Sequence, residues 1–243
     1  MSAPTNLDEF NEKFKAIAEM GWVTTHRANN PGIGKTLEDL LEIQENNING
    51  PDFGDYELKA MRTNANSMLS LFTKSPEPPK VNALLLDTYG YYNTAHPDDK
   101  KLLTTLDSQH LSKLADSGKA LGITFRENRV CIIDEQGNIP AYWEIEGLKN
   151  AFLKKYRYHL VHVYADSQGH GADEEFKFHT AWELWGFSAD KLINFIKEGI
   201  IKVDIRIGRY PDGRPHDRGT GFRIQERYLS DFFANKKVLY TAD

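Results

Sequence analysis

Asp52, Glu57 and Lys59 are the residues of this chain whose types and spacing point most directly to chemistry. They stand in the run Pro51-Asp52-Phe53-Gly54-Asp55-Tyr56-Glu57-Leu58-Lys59. On a strand, residues i and i+2 share a face, so Glu57 and Lys59 point one way while Tyr56 and Leu58 point the other. Gly54 predicts a tight turn that folds Asp52 back beside Glu57. Two converging carboxylates repel unless a cation lies between them. Hard oxygen ligands with open positions suit Mg²⁺, which keeps several waters and bridges to phosphate. A lysine beside such an ion can orient or deprotonate a water and neutralise charge building on a phosphodiester. The same residues also describe a surface hairpin carrying a Glu–Lys pair, and spacing alone leaves both readings open. Asp55, two residues from Glu57, competes for the role of metal-binding acid.

A second group follows far along the chain, in Lys202-Val203-Asp204-Ile205-Arg206-Ile207-Gly208 and His216-Asp217-Arg218-Gly219-Thr220-Gly221-Phe222-Arg223-Ile224. Asp204 and Arg206 share a strand face. An arginine fork fits guanine O6 and N7, and a carboxylate accepts from cytosine N4, so interleaved acids and bases are what reading G·C pairs requires. A phosphate-only binder would show bases without acids. The alternative is cross-strand ion pairing, for example between Asp204 and Arg223, and spacing does not separate the two.

The elements that must hold these groups are read from periodicity. Leu7, Phe10, Phe14 and Ile17 line one face of a first helix, with Asn6 as cap and Glu9 three residues on. A turn-rich loop at 29–34 precedes a second helix, for which Thr36 suits the N-cap and Leu37, Leu40, Leu41 and Ile43 the apolar face. An Asn-rich turn is expected at 46–51. From Asp52 on, strands dominate: 56–61, 68–73, 81–86, a hairpin of 122–125 with 129–133, 139–145, a pair of 159–165 with 176–184, 200–207 and 221–225. Helices are expected at 148–155, after Ser188 to Gly199, and at 229–233. The Pro-rich stretch 74–80 reads as an extended connector. Helices and strands interleave, which makes the class mixed α/β.

Composition bounds the rest. The 243 residues suggest one large domain or two small lobes, and 40% hydrophobic content is enough for a core. The formal charge of -5 hides an asymmetry: residues 1–57 hold 11 acids against 4 bases, residues 202–227 hold 7 bases against 4 acids. A local basic stripe can bind phosphate in an acidic chain because screening confines each field to about 8–10 Å. The single Cys131 excludes an internal disulfide and a Cys-based zinc site. No apolar run approaches the ~20 residues that span a bilayer, and the N-terminus lacks a signal-peptide pattern, so a soluble cytoplasmic protein is expected.

Pro51-Asp52 with Glu57-Leu58-Lys59 resembles the PD-(D/E)xK nuclease signature, whose Pro-Asp pairing favours Asp52 over Asp55 as the metal-binding acid. The run Gly32–Leu41, the Asn-rich turn, Pro51–Lys59 and Ser70–Pro76, followed in order by the 200–225 block, resemble the MvaI/BcnI family of type II restriction endonucleases, relatives of the MutH nickase. Residues 87–180 carry no motif that matches. The resemblance implies a restriction-endonuclease-like core, a mixed sheet flanked by helices, with a catalytic lobe at approximately 1–120 and a recognition lobe at approximately 121–243. It implies Asp52, Glu57 and Lys59 as catalytic residues, Asp52 and Glu57 holding Mg²⁺, and Glu38 as an auxiliary acid. Glu38 is equally an ordinary acid in a helix's first turn. It implies Asp204, Arg206, His216, Asp217, Arg218 and Arg223 as DNA contacts at a C·G-rich site, with two C·G pairs flanking a central pair. Double-stranded DNA as partner, a cognate DNA methyltransferase, no membrane, and a monomer cutting one strand at a time complete the expectation. A DNA-nicking repair enzyme and a non-catalytic DNA-binding module are the alternatives.

Other motifs lead elsewhere only weakly. Gly34-Lys35-Thr36 lacks the earlier glycine of a phosphate loop, since position 29 is Asn. His159 and His162 are three apart on a strand and face opposite sides, which disfavours zinc. Trp182, Trp185 and Phe187 read as core.

Overall fold

Asn6 caps the first helix, α1 (Leu7–Glu19): its side chain accepts from Glu9 N at 3.0 Å, while the Glu9 carboxylate accepts from Thr5 N at 2.8 Å. In the computed structural model, residues 2–44, 50–63, 67–93, 96–115, 117–209 and 213–242 are described. After α1 come β1 (Trp22–Thr24), α2 (Gly32–Leu40), β2 (Tyr56–Arg62), β3 (Met68–Thr73), α3 (Val81–Tyr89), β4 (Tyr91–Asn93), β5 (His96–Leu106) and β6 (Ser112–Lys113). Then follow β7 (Ala120–Arg126), β8 (Arg129–Asp134), β9 (Ala141–Glu144), α4 (Ile145–Lys155), β10 (His159–Gln168) and β11 (Glu175–Trp185). The chain ends with α5 (Ala189–Lys197), β12 (Ile201–Arg209), β13 (Pro215–Asp217), β14 (Gly221–Gln225), α6 (Leu229–Phe232) and β15 (Asn235–Thr241). The class is mixed α/β, as expected.

The chain forms two compact units: Met1–Ser67 with Leu153–Phe187 and Phe233–Asp243, and Met68–Phe152 with Ser188–Phe232. The division expected near residue 120 therefore falls inside the second unit. A single cut would separate β2 from β10, and these two strands pair in parallel in the first unit. Parallel partners need a long crossover, and here that crossover contains most of the other unit.

The first unit is built on a five-stranded mixed sheet ordered β1-β11-β10-β2, with β15 also on β11. Phe10, Phe14, Ile17, Ile33, Leu37 and Leu41 of the two helical segments bury against Leu58, Val161, Val163, Phe176 and Phe178 of the sheet. Each such side chain contributes about 1.5–3 kcal/mol on burial. Strand alternation sends Glu57 and Lys59, with their β10 register partners Leu160 and His162, to the opposite face.

The second unit holds a six-stranded sheet, β3-β14-β12-β5-β4 with β13 on β12, and a four-stranded meander β6-β7-β8-β9. Ile201, Val203, Ile205 and Ile207 of β12 are buried. The intervening Lys202, Asp204 and Arg206 therefore share the other face of the sheet.

Two local expectations are corrected. Val81–Leu86 is helix, not strand: Val81, Leu85, Leu86 and Tyr89 are buried at helical spacing, while Leu84 is 54% exposed. A continuous apolar run does not by itself distinguish a buried strand from a helix. Helix α2 begins at Gly32, four residues before the expected cap. Thr36 is buried inside it, and its Oγ1 accepts from His26 N at 2.9 Å. Gly32 is required there, because a Cβ would lie 2.3 Å from the Arg27 carbonyl oxygen. The Asn-rich turn lies largely outside the described residues. The 122–125/129–133 hairpin, the 159–165/176–184 pair and the Ser188 cap are observed as expected, the last with Lys191 N donating to Ser188 Oγ at 3.1 Å.

Candidate active site and nucleic-acid interface

The turn before β2 sets the site. Asp52 N and Phe53 N donate to the Tyr56 carbonyl, and Tyr56 N returns a bond to the Phe53 carbonyl at 2.8 Å. Gly54 sits at the corner with φ +50°, where a Cβ would lie 2.5 Å from the Thr5 carbonyl oxygen. The chain thereby doubles back, and Asp52 Oδ2 accepts from Leu58 N at 2.7 Å. Asp52 is thus tied to the strand that carries Glu57 and Lys59, as the position of Gly54 predicts.

Glu57 is wholly buried. Lys59 Nζ donates to Glu57 Oε1 and, at 3.1 Å, to the Leu58 carbonyl. Lys155, at the end of α4, reaches the same Oε1 at 3.0 Å. Glu57 Oε2 has no hydrogen-bond partner. Burial pushes the Glu57 carboxyl above its ordinary range, and the Asp52 charge adds to that, while Lys59 and Lys155 oppose it. For Lys59, burial favours loss of the proton, but the charges of Glu57, Asp52 and Glu38 outweigh it and hold its pKa above the usual value. Glu38, on α2, is therefore near enough for its field to act at Lys59. Asp55 is largely exposed and only 4.0 Å from Arg157, outside this cluster.

Lys155 is a member of this cluster that sequence reading missed. The available signal was a Lys-Lys pair ending a helix just before a strand; what was missing was the knowledge that this strand lies beside β2.

The donor set fits a divalent cation. A buried carboxylate oxygen without a partner, beside a second acid, is an open ligand position. Among the described residues no group of three or more His, Cys, Asp or Glu side chains forms a cage, so the ion that fits is one that retains water.

His162 stands next to Lys59 across the strand pair, buried, with Nε2 unpartnered. Burial, then the Lys59 charge, lowers its pKa from 6.5 to about 4. The unfolded chain thus binds a proton more readily than the folded one, so stability falls as pH drops from 6.5 towards 4. The loss approaches about 3 kcal/mol at the acid end. Denaturant unfolding at a series of pH values is expected to show a shallower acid limb for His162→Leu than for the wild type. Equal slopes would contradict a neutral buried His162.

In the second unit, Asp204, Arg206 and Arg223 come together. Arg223 Nη1 donates to Asp204 Oδ2 at 2.9 Å, and Arg206 Nε lies 3.5 Å from the same oxygen. The cross-strand ion pair is therefore real, and it uses Asp204 and one arm of Arg223. Arg223 Nη2 is occupied by the Met68 carbonyl at 2.8 Å. Asp217 serves the local turn: its Oδ1 accepts from Gly219 N at 2.8 Å, and Asn82 and Ser75 donate to Oδ2. His216, on β13, pairs in register with Gly208. Arg218 is exposed, and its backbone N donates to the Arg206 carbonyl at 3.0 Å. Arg218 is exposed and the Arg206 side chain is more exposed than that of Arg223, while Asp204, Asp217 and Arg223 are engaged within the protein.

The sequence profile of the MvaI/BcnI restriction endonuclease family matches residues 11–233. The solved structure described as a restriction endonuclease MvaI–cognate DNA substrate complex is similar at a TM-score of 0.85 and 32% identity, covering 98% of this chain and 100% of that one. MvaI in the absence of DNA is similar at a TM-score of 0.58 and 32% identity, covering 98% and 99%. No curated protein matches. A likeness of this extent in both sequence and fold defines a sequence-specific deoxyribonuclease of type II. The chain belongs to the MvaI/BcnI restriction endonuclease family.

Proposed function

We propose that the enzyme hydrolyses double-stranded DNA at a short site of the CC-N-GG type, with Mg²⁺, one strand at a time. The observation that carries the catalytic part is Glu57: buried, gripped on Oε1 by two lysines, and open on Oε2 beside Asp52. Asp52 and Glu57 would hold the metal, which when bound supplies polarisation of the phosphate and a more acidic water. Lys59, anchored by Glu57 and the Leu58 carbonyl, orients the attacking water and offsets charge on the phosphate. Lys155, with Lys59, opposes the effect of burial on the Glu57 carboxyl. Glu38 is an auxiliary acid whose field sustains the Lys59 proton. The first unit is the catalytic lobe and the second the recognition lobe in this reading. Asp204, Arg206, His216, Asp217, Arg218 and Arg223 form the DNA-contacting set, Arg206 and Arg218 as its outward donors.

A cognate DNA methyltransferase is the functional partner this activity calls for, and the cytoplasm the compartment where both meet DNA. Among the described residues no helix is long and apolar enough to cross a membrane.

One Asp52–Glu57–Lys59 set per chain means one metal site for two scissile bonds. A monomer must release or turn around between cuts, so a nicked circle is expected as a transient on supercoiled plasmid. Single-turnover digestion with Mg²⁺, alongside sedimentation at the working concentration, checks this. Linear product with no nicked species, from a sedimenting dimer, would overturn the monomer. A nicked circle as the final product would favour the nickase instead.

A further inference from the structure

The polar face of the six-stranded sheet holds a residue to which neither the sequence motifs nor the family resemblance gives a role. Thr105 of β5 lies directly opposite Asp204 of β12 in the antiparallel register. Its Oγ1 donates to Asp204 Oδ1 at 3.1 Å. Asp204 is only 7% exposed, so its charge has to be met within the protein. The Thr105 hydroxyl occupies Oδ1 and leaves Oδ2 to the two guanidinium groups. A carboxylate turns easily about its last torsion. A donor on one oxygen therefore fixes that torsion and the direction in which the other oxygen meets the arginines.

The two arginines are held unequally. Arg223 has both terminal nitrogens taken, by Asp204 and by the Met68 carbonyl. Arg206 is guided at longer range, 3.5 Å from Asp204 and 3.4 Å from the Gly219 carbonyl, and its side chain is 38% exposed. Its Nε is buried without a hydrogen bond and its Nη2 donates to the Gly219 carbonyl, which leaves Nη1 and the second hydrogen of Nη2 as the usable donors. The arrangement resembles a lever: Thr105 sets Asp204, Asp204 is braced by Arg223, and Arg206 is aimed by the result.

We infer that Thr105 is a positioning residue for sequence discrimination, acting through Asp204 on the orientation in which Arg206 meets a guanine edge. The inference rests on the proposed readout by Arg206. The single proton of Thr105 is spent on Asp204, so Thr105 shapes readout without needing to touch DNA.

Thr105→Val keeps the shape and strand preference and removes the hydroxyl; Thr105→Ser keeps the hydroxyl. Both are measured by competition binding in Ca²⁺, with CC-N-GG duplexes, their single-base variants and a random duplex. Thr105→Val is expected to lose discrimination at one G·C pair by about five- to tenfold, the scale of a hydrogen bond to a charged group partly replaced by water. Its affinity for random DNA stays at the wild-type level, and Thr105→Ser stays within about twofold of wild type. Wild-type discrimination by Thr105→Val, equal loss by both variants, or equal weakening on every duplex would each overturn the inference. Arg206→Ala in the same panel separates the two levels. If it weakens all duplexes alike, the readout by Arg206 fails. If it loses discrimination while Thr105→Val retains it, only the role of Thr105 falls.

Discussion

Asp52→Ala and Lys59→Ala are expected to abolish DNA cleavage while leaving cognate binding within a few-fold of wild type. Asp52→Ala removes one of the two proposed metal ligands. Lys59→Ala removes the cation proposed to orient the attacking water and also one of the two ammonium groups on Glu57. With Lys59 gone, a wholly buried carboxylate keeps only Lys155, which raises its proton affinity further and weakens it as a ligand. Losses of 10²–10³-fold are typical when one electrostatic donor is removed from a hydrolytic site. A residue that holds the metal costs at least as much. Binding is retained in this reading because sequence readout resides in the second unit. Asp55→Ala is the matched control, since Asp55 is exposed and outside the cluster, and it should cut like the wild type. Digestion of plasmid at saturating Mg²⁺, with binding measured separately in Ca²⁺, makes the comparison. Cutting by either Asp52→Ala or Lys59→Ala at a rate comparable to wild type would remove that residue from the mechanism.

Arg206→Ala and Arg218→Ala carry the second large effect, each expected to cost about 1–3 kcal/mol of discrimination at one G·C pair. The ground is the unequal engagement of the charged groups around β12. Asp204 and Arg223 neutralise one another, whereas Arg206 and Arg218 keep exposed donors. A phosphate-contacting arginine would weaken cognate and random DNA alike and reduce the salt dependence. Competition against single-base variants distinguishes the two outcomes, and uniform loss would assign the residue to the DNA backbone. Asp204→Asn is expected to be the more damaging change to folding, because it leaves two guanidinium groups at a nearly buried position without their counter-charge.

Both effects depend on residues that the sequence already marks, but on contacts that it does not. Pro51 through Lys59 could be read locally: a glycine corner, an alternating strand and two charged residues on one face are short-range facts, and the turn at Gly54 forms as its position implies. The alternation of β12 was legible for the same reason. Helix α1 was legible too, because its cap and its apolar spacing agree. Where two local rules compete, the chain alone misleads. The Val81–Leu86 run satisfies strand and helix alike, and tertiary burial of Val81, Leu85 and Leu86 selects helix.

What the sequence determined by itself, then, is which side chains β2 and β12 present and on which face, because alternation and turns are set by neighbours a few residues away. What only the tertiary structure decided is their company. Lys155 and His162 reach the Glu57–Lys59 pair because β10 runs parallel to β2 after a crossover of nearly a hundred residues. Thr105 meets Asp204 because β5 and β12, equally remote, share one antiparallel register. Such pairings are settled by the burial of whole sheet faces, in which no single segment carries the information.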